Sequence, residues 1–154
     1  MGRLMESQKQ LNNPISEESA SVQTHLQILQ SVTQRMANNS ASCKTWCITM
    51  VSAILVLVSN KGNPDLAWLA ILPTVLFLSL DSYYLALEKA FRASYNSFVK
   101  KLHSEKLSVN DLYSIVPKDN MVAYQIESLK SFSIWGFYSG LVIMIMVARE
   151  WILG

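Results

Sequence analysis

The sequence predicts an all-α integral membrane protein with about three transmembrane helices, the first two an antiparallel hairpin extended into the cytoplasm. Three observations carry that prediction. Hydrophobic residues make up 51% of the 154 and charged residues only 16%, against roughly 25% charged in an ordinary soluble domain. The apolar residues cluster in TWCITMVSAILVLV, LAWLAILPTVLFLSL and IWGFYSGLVIMIMVA, runs that approach the ~20 residues a bilayer crossing demands. The charges lie between these runs. A soluble helical core could bury similar segments, but their length and clustering favour the bilayer.

Residues 1–16 are polar, without a period, and broken by Asn12, Asn13 and Pro14, so a flexible N-terminus is expected. It holds no apolar stretch of the kind a cleavable signal needs. The Met-Gly start is not a myristoylation motif, since Glu6 stands where Ser or Thr is wanted. A helix is expected to start near Ser16, with Glu17 and Glu18 in its first turn. Val22, Leu26, Leu29, Val32 and Met36 then recur at spacings of four and three among glutamines. That stripe should pack on a partner helix in water, and the helix should run on into a first span, about 43–59. Lys44 can extend that short span by snorkelling, with Asn38, Asn39 and Ser40 at headgroup level.

Asn63 caps a second helix, Pro64 suits its first position and Asp65 its dipole, so the second helix should begin at once. Its span covers about 66–87, with a mild kink expected at Pro73. The same helix should continue to about residue 106, so residues 17–106 form one unit of cytoplasmic helix, transmembrane hairpin and cytoplasmic extension. Residues 107–131 form a cytoplasmic connector with turn material around 108–111 and 117–120 and a short amphipathic piece, MVAYQIESLKSF. The third transmembrane helix occupies 132–154.

Lys89, Arg92, Lys100, Lys101, Lys106, Lys118 and Lys130 lie in the segment after span two, and Arg3, Lys9, Arg35 and Lys44 before span one; the 59–65 loop holds only Lys61. The bias towards positive cytoplasmic loops therefore places the N-terminus inside and the C-terminus outside, with Arg149 the one charge against it. A net charge of +2 is too small to suggest nucleic acid, and no arginine–aromatic platform is present. Cys43 and Cys47 share a helix face, but two sulfurs without a His or acid nearby do not make a zinc site. His25 and His103 are isolated, and GxSxG, HExxH and P-loop patterns are absent from the sequence. The expectation is a protein that is not an enzyme and needs no cofactor or metal.

Asp81 is out of place by hydropathy. With Tyr84 or Leu85, Glu88, Arg92 and Tyr95 it forms one stripe, in which Glu88 and Arg92 are a favourable i, i+4 pair. A carboxylate at that depth should face a helix or water rather than lipid. Either it lines an ion or proton pathway, or it clamps another helix through Arg35, Asn38, Asn39 or Lys44. Gly136 and Gly140, with Ser139 beside them, form a GxxxG pair that packs helices within the protomer or between protomers. Met144 and Met146 read as packing residues. Trp46, Trp68, Trp135 and Trp151 sit near span ends as interface anchors, with Tyr83 and Tyr84 at the end of span two.

Two stretches carry a family signature. HLQILQSVTQRMANNSASCKTW resembles an IQ…I.RMA.NS…K.W approach to a first span, and LDSYYLALEKAFRASYNSFV resembles an LD.YYL..E..FR..Y exit from a second. Their order and spacing resemble the RipA family of small octameric bacterial inner-membrane proteins over about residues 25–98, and elsewhere by layout only. The arrangement is also similar to SLATT modules, two-span proteins proposed to act as pore-forming effectors in bacterial defence. Arg35, Asn39, Lys44, Trp46, Asp81, Tyr83, Tyr84, Glu88 and Arg92 fall on the motif. Ala41-Ser42-Cys43, where bulkier residues are expected, and the added charge of Lys89 depart from it.

The resemblance implies an octameric homo-oligomer in the bacterial inner membrane, acting in stress, host adaptation or phage defence; in that membrane the outside C-terminus expected from the charge bias is periplasmic. The expected function is a non-enzymatic pore or ion-permeable assembly whose partners are its own copies and the bilayer. Alternatives are a scaffold or regulatory subunit that organises a partner protein without conducting, and a proton-coupled transporter.

Overall fold

The structure, a computed structural model, describes residues 17–117 and 120–153, with side chains as far as Glu150. The expected flexible N-terminus, Lys118 and the anchor Trp151 therefore lie outside the described residues or side chains. Among those described, the chain is helical and holds no strand. Three helical stretches, Ala20–Lys61, Pro64–His103 and Phe132–Glu150, are long and apolar enough to cross a membrane.

Helix α1 runs unbroken over Ala20–Lys61, 42 residues, or about 63 Å at 1.5 Å per residue. It begins later than the acids suggest: Ser19, not Ser16, is the cap, and its Oγ accepts from the Val22 amide at 3.3 Å. A hydroxyl satisfying a free first-turn amide fixes the start more firmly than a charge near the dipole. The helix stops at Gly62, whose φ of 64° is left-handed and whose amide bonds back to Ser59, a geometry that a side chain would oppose.

Asn63 does cap the segment beyond this turn, its side chain accepting from the Asp65 amide at 3.2 Å. The second helix, however, does not begin as an α-helix. Pro64–Ala70 is a 3-10 segment, and α2 proper spans Ile71–His103. Pro73 explains the delay. In an α-helix its ring crowds the carbonyl four residues back and its missing amide loses a bond, so it is best tolerated in a first turn, where it now lies. Helix α2 ends three residues short of the expected 106, with Lys100, Lys101 and His103 in its last turn, where cations suit the dipole.

A second 3-10 turn, Val109–Asp111, precedes α3, Met121–Leu129, which Asn120 caps through Ala123. Helix α4 is Phe132–Val147, and a π-helical turn, Ala148–Leu153, continues it.

Contacts between α1 and α2 climb one as they descend the other. Gln30 Nε2 donates to Tyr95 Oη at 3.4 Å, Ser40 and Lys44 meet Asp81, and Cys47 Sγ lies 4.0 Å from the Pro73 carbonyl. Two apolar cores flank the Asp81 level. One joins Cys47 and Val51 of α1 and Ala70 to Ile134, Tyr138, Leu141 and Ile145 of α4. The other joins Val22 and Leu29 to Phe98 and Leu102, with Leu107, Leu112 and Ile115 of the connector packed on it. Of the expected N-terminal stripe, Val22 and Leu29 are buried, and Leu26, Val32 and Met36 are only partly so.

Candidate functional site

Between the two cores lies a buried polar cluster. Asp81 is fully buried, and its Oδ1 accepts from Ser40 Oγ. Its Oδ2 lies 2.5 Å from Lys44 Nζ, as an ion pair rather than an aligned hydrogen bond. Ser40 and Lys44 are one turn apart on α1, so helical geometry alone turns both towards the same carboxylate. The Lys44 side chain keeps 20% exposure, and its ammonium stands 6.0 Å from the centre of the Phe137 ring, within cation–π range. Tyr138, 2% exposed, faces the same carboxylate from α4, and its hydroxyl has no aligned hydrogen-bond partner among the described residues. Three helices thus converge on one charge pair.

Removing a carboxylate from water costs several kcal/mol, and only a close counter-charge with further hydrogen bonds offsets it. Asp81 has both. Such a pair also sets register, because sliding either helix by one turn, about 5.4 Å, would strand both charges. Of the four partners proposed for Asp81, Lys44 is the one brought to it. Asn38 bonds instead to Gln34 of its own helix at 2.9 Å. Arg35 is exposed and Asn39 partly buried, and neither has an ion pair or side-chain hydrogen bond among the described residues.

Glu88 and Arg92 form the expected pair at 2.5 Å, with Arg92 65% exposed in its side chain. Lys89 reaches Glu127 of α3 at 2.8 Å, so this added charge ties α3 to α2. Arg149, the charge against the orientation rule, bonds Asp65 at 2.8 Å and stacks 5.6 Å from the Trp68 ring centre. Trp46, Trp68, Trp135 and Tyr83 are exposed; Tyr84 is partly buried, its ring 5.8 Å from that of Tyr83.

The glycine pair faces outwards. The core face of α4 is Ile134, Tyr138, Leu141 and Ile145, and Gly136, Ser139 and Gly140 are on the other side. A Cβ on Gly140 would meet nothing within 4 Å, whereas one on Gly136 would press on the Phe132 ring at 3.2 Å. Ser139 donates back to the Trp135 carbonyl.

Two features were missed in the sequence. Ser42, Thr45, Thr49, Ser52 and Ser59 are all exposed and follow a three–four spacing along span one, interrupted by Val56. Their spacing was visible, but nothing local says which way such a face points. His25 is buried, its Nδ1 accepting from the Tyr113 amide at 2.9 Å and its ring 4.2 Å from Phe98. The partner lies 88 residues away, beyond any local pattern.

No family model, curated protein or solved structure matches this chain.

Proposed function

We propose that the chain is a non-enzymatic homo-oligomer of the bacterial inner membrane, built on a transmembrane hairpin, whose assembled copies enclose an ion-permeable pore acting in stress or defence. The observation that carries this reading is the exposed hydroxyl stripe of Ser42, Thr45, Thr49, Ser52 and Ser59 on span one. A polar face on an otherwise apolar helix belongs against water or another helix, not lipid. The outward glycines of α4 supply a surface where a second copy's backbone can approach closely. Membrane residence draws on the apolar spans, of which only 22%, 33% and 28% is buried within the protomer. A soluble monomer rarely leaves so much contiguous apolar surface bare.

The test is potassium release from liposomes holding the purified chain, alongside native mass measurement. Wild type should leak and run as an oligomer, and replacing Thr49 and Ser52 together with valine should cut the leak without changing the mass. Tight liposomes or a monomeric mass for wild type would overturn the pore.

A second reading, a scaffold that does not conduct, has its own observation. Thr45 donates to the Ala41 carbonyl at 3.3 Å and Thr49 to the Thr45 carbonyl at 2.9 Å, so these hydroxyls can sit in a dry helix contact without water. Proton-coupled transport is the weakest of the three, because Asp81 is already committed to Lys44 and Ser40.

A further inference from the structure

On the flank of α1 away from the hydroxyl stripe, an apolar groove of about 540 Å³ opens between Met50, Ile54 and Leu57 of α1 and Leu69 and Leu72 beyond the turn. The 3-10 segment forms part of its wall. Lys61 lines one end, exposed and without an ion-pair partner among the described residues. From Met50 to Lys61 the helix rises about 17 Å, close to one leaflet, half of the ~30 Å hydrocarbon core. The groove is therefore apolar for the depth of a leaflet and cationic where that leaflet meets water. We infer that it holds an acyl chain of an anionic glycerophospholipid whose headgroup phosphate pairs with Lys61. The inference rests on the membrane reading above, not on the pore.

Charge complementarity selects this occupant. A second copy of the chain would bring a helix into the groove, but its acids at this end, Asp65 and Glu150, are already paired with its own Arg149. A zwitterionic lipid would fill the apolar part equally and gain less at the ammonium. The hydroxyl stripe lies on the opposite side of α1, so a lipid seated here would leave it free.

The experiment is native mass spectrometry of the full chain purified with dioleoyl-phosphatidylglycerol or dioleoyl-phosphatidylcholine. Wild type should retain the anionic lipid about fivefold better, the equivalent of one lysine near a charged membrane surface. Lys61→Ala should erase that preference, Lys61→Arg should keep it, and Leu57→Trp should displace both lipids by filling the groove. Equal retention by wild type, or a preference that survives Lys61→Ala, would overturn the site. So would disulfide cross-linking of two copies through Leu57→Cys, since the groove would then hold protein. Carbonate extraction of the same membranes separates the two failures. A chain that resists extraction but shows no lipid preference refutes the groove alone, and one released by carbonate refutes the membrane reading beneath it.

Discussion

Asp81 and Lys44 make a pair in which each member is tolerable only because of the other. Asp81→Asn removes the counter-charge of a lysine that is only one-fifth exposed, and should lower stability by about 3 kcal/mol. Lys44→Met should cost at least as much, leaving a carboxylate with no exposure at all. The double variant Lys44→Met with Asp81→Leu should recover most of the loss, because an apolar pair needs no counter-charge. Thermal melts of the four proteins in detergent measure this. Single variants within about 0.5 kcal/mol of wild type, the range of ordinary surface changes, would mean the pair does not clamp.

His25 makes a second residue-scale prediction. Its Nδ1 can accept from Tyr113 only while neutral, and that bond holds Tyr113 at a φ of 61°, a conformation sparsely used by side-chain-bearing residues. Burial pushes the imidazole below its ordinary 6.5, and the nearby Asp111 opposes this. Asp111 is itself bonded to Lys101 and Ser108, which hold its carboxyl below the usual range. A histidine with a lowered folded pKa is protonated first in the unfolded chain. Its contribution is therefore complete above 6.5 and declines as pH falls from there towards the folded value. Melting temperature should drop over that window in wild type. The drop should be smaller in His25→Gln, which keeps an acceptor but does not titrate.

At the scale of elements, the helices were legible because their signals are local. Apolar runs and the Asn63-Pro64 pair act within a turn or two of where they stand, whereas the acids Glu17 and Glu18 drew the expected start to Ser16 and away from the Ser19 cap. The 3-10 opening of the second helix was less legible, because Pro73 acts through its position relative to a start that other residues set. For α4 the sequence left two directions open for its glycines, and the folded protomer turns them outwards. Gly140→Leu should then leave helix content and protomer stability unchanged, since nothing lies within 4 Å of the added Cβ, while native mass shifts from the oligomer to smaller species. An unchanged mass would remove α4 from the contact between copies.

For the whole molecule, orientation reduces to an uneven distribution of charge. Lys44 is paired with Asp81 and Arg149 with Asp65, as Lys89, Arg92 and Lys101 are with Glu127, Glu88 and Asp111. Yet Lys100, Lys106 and Lys130 of α2's extension and the connector have no ion pair among the described residues and are opposed by Lys61 alone. Cysteines placed at Asn60 and at Val109, with Cys43 and Cys47 replaced, should therefore react on opposite sides of the membrane. An impermeant maleimide should label the Asn60 position in intact spheroplasts and the Val109 position only after permeabilisation. Labelling of both from one side would reject the predicted crossing.

The sequence by itself determined that the chain is helical, which stretches are apolar enough to cross a bilayer, where the turns fall, and that Asp81 needs an explanation. Those properties are sums over neighbouring residues, so they can be read along the chain. Only the tertiary structure decided that Lys44 and Ser40, rather than Arg35, Asn38 or Asn39, answer Asp81, that Tyr138 closes the cluster, and that His25 is pinned to the connector. All the α1 candidates sit within about two and a half turns of one another, and the choice among them depends on how far each helix is rotated about its own axis. That rotation is fixed by packing along the whole interface, from Val22 against Phe98 to Cys47 against Pro73, and no local stretch contains it.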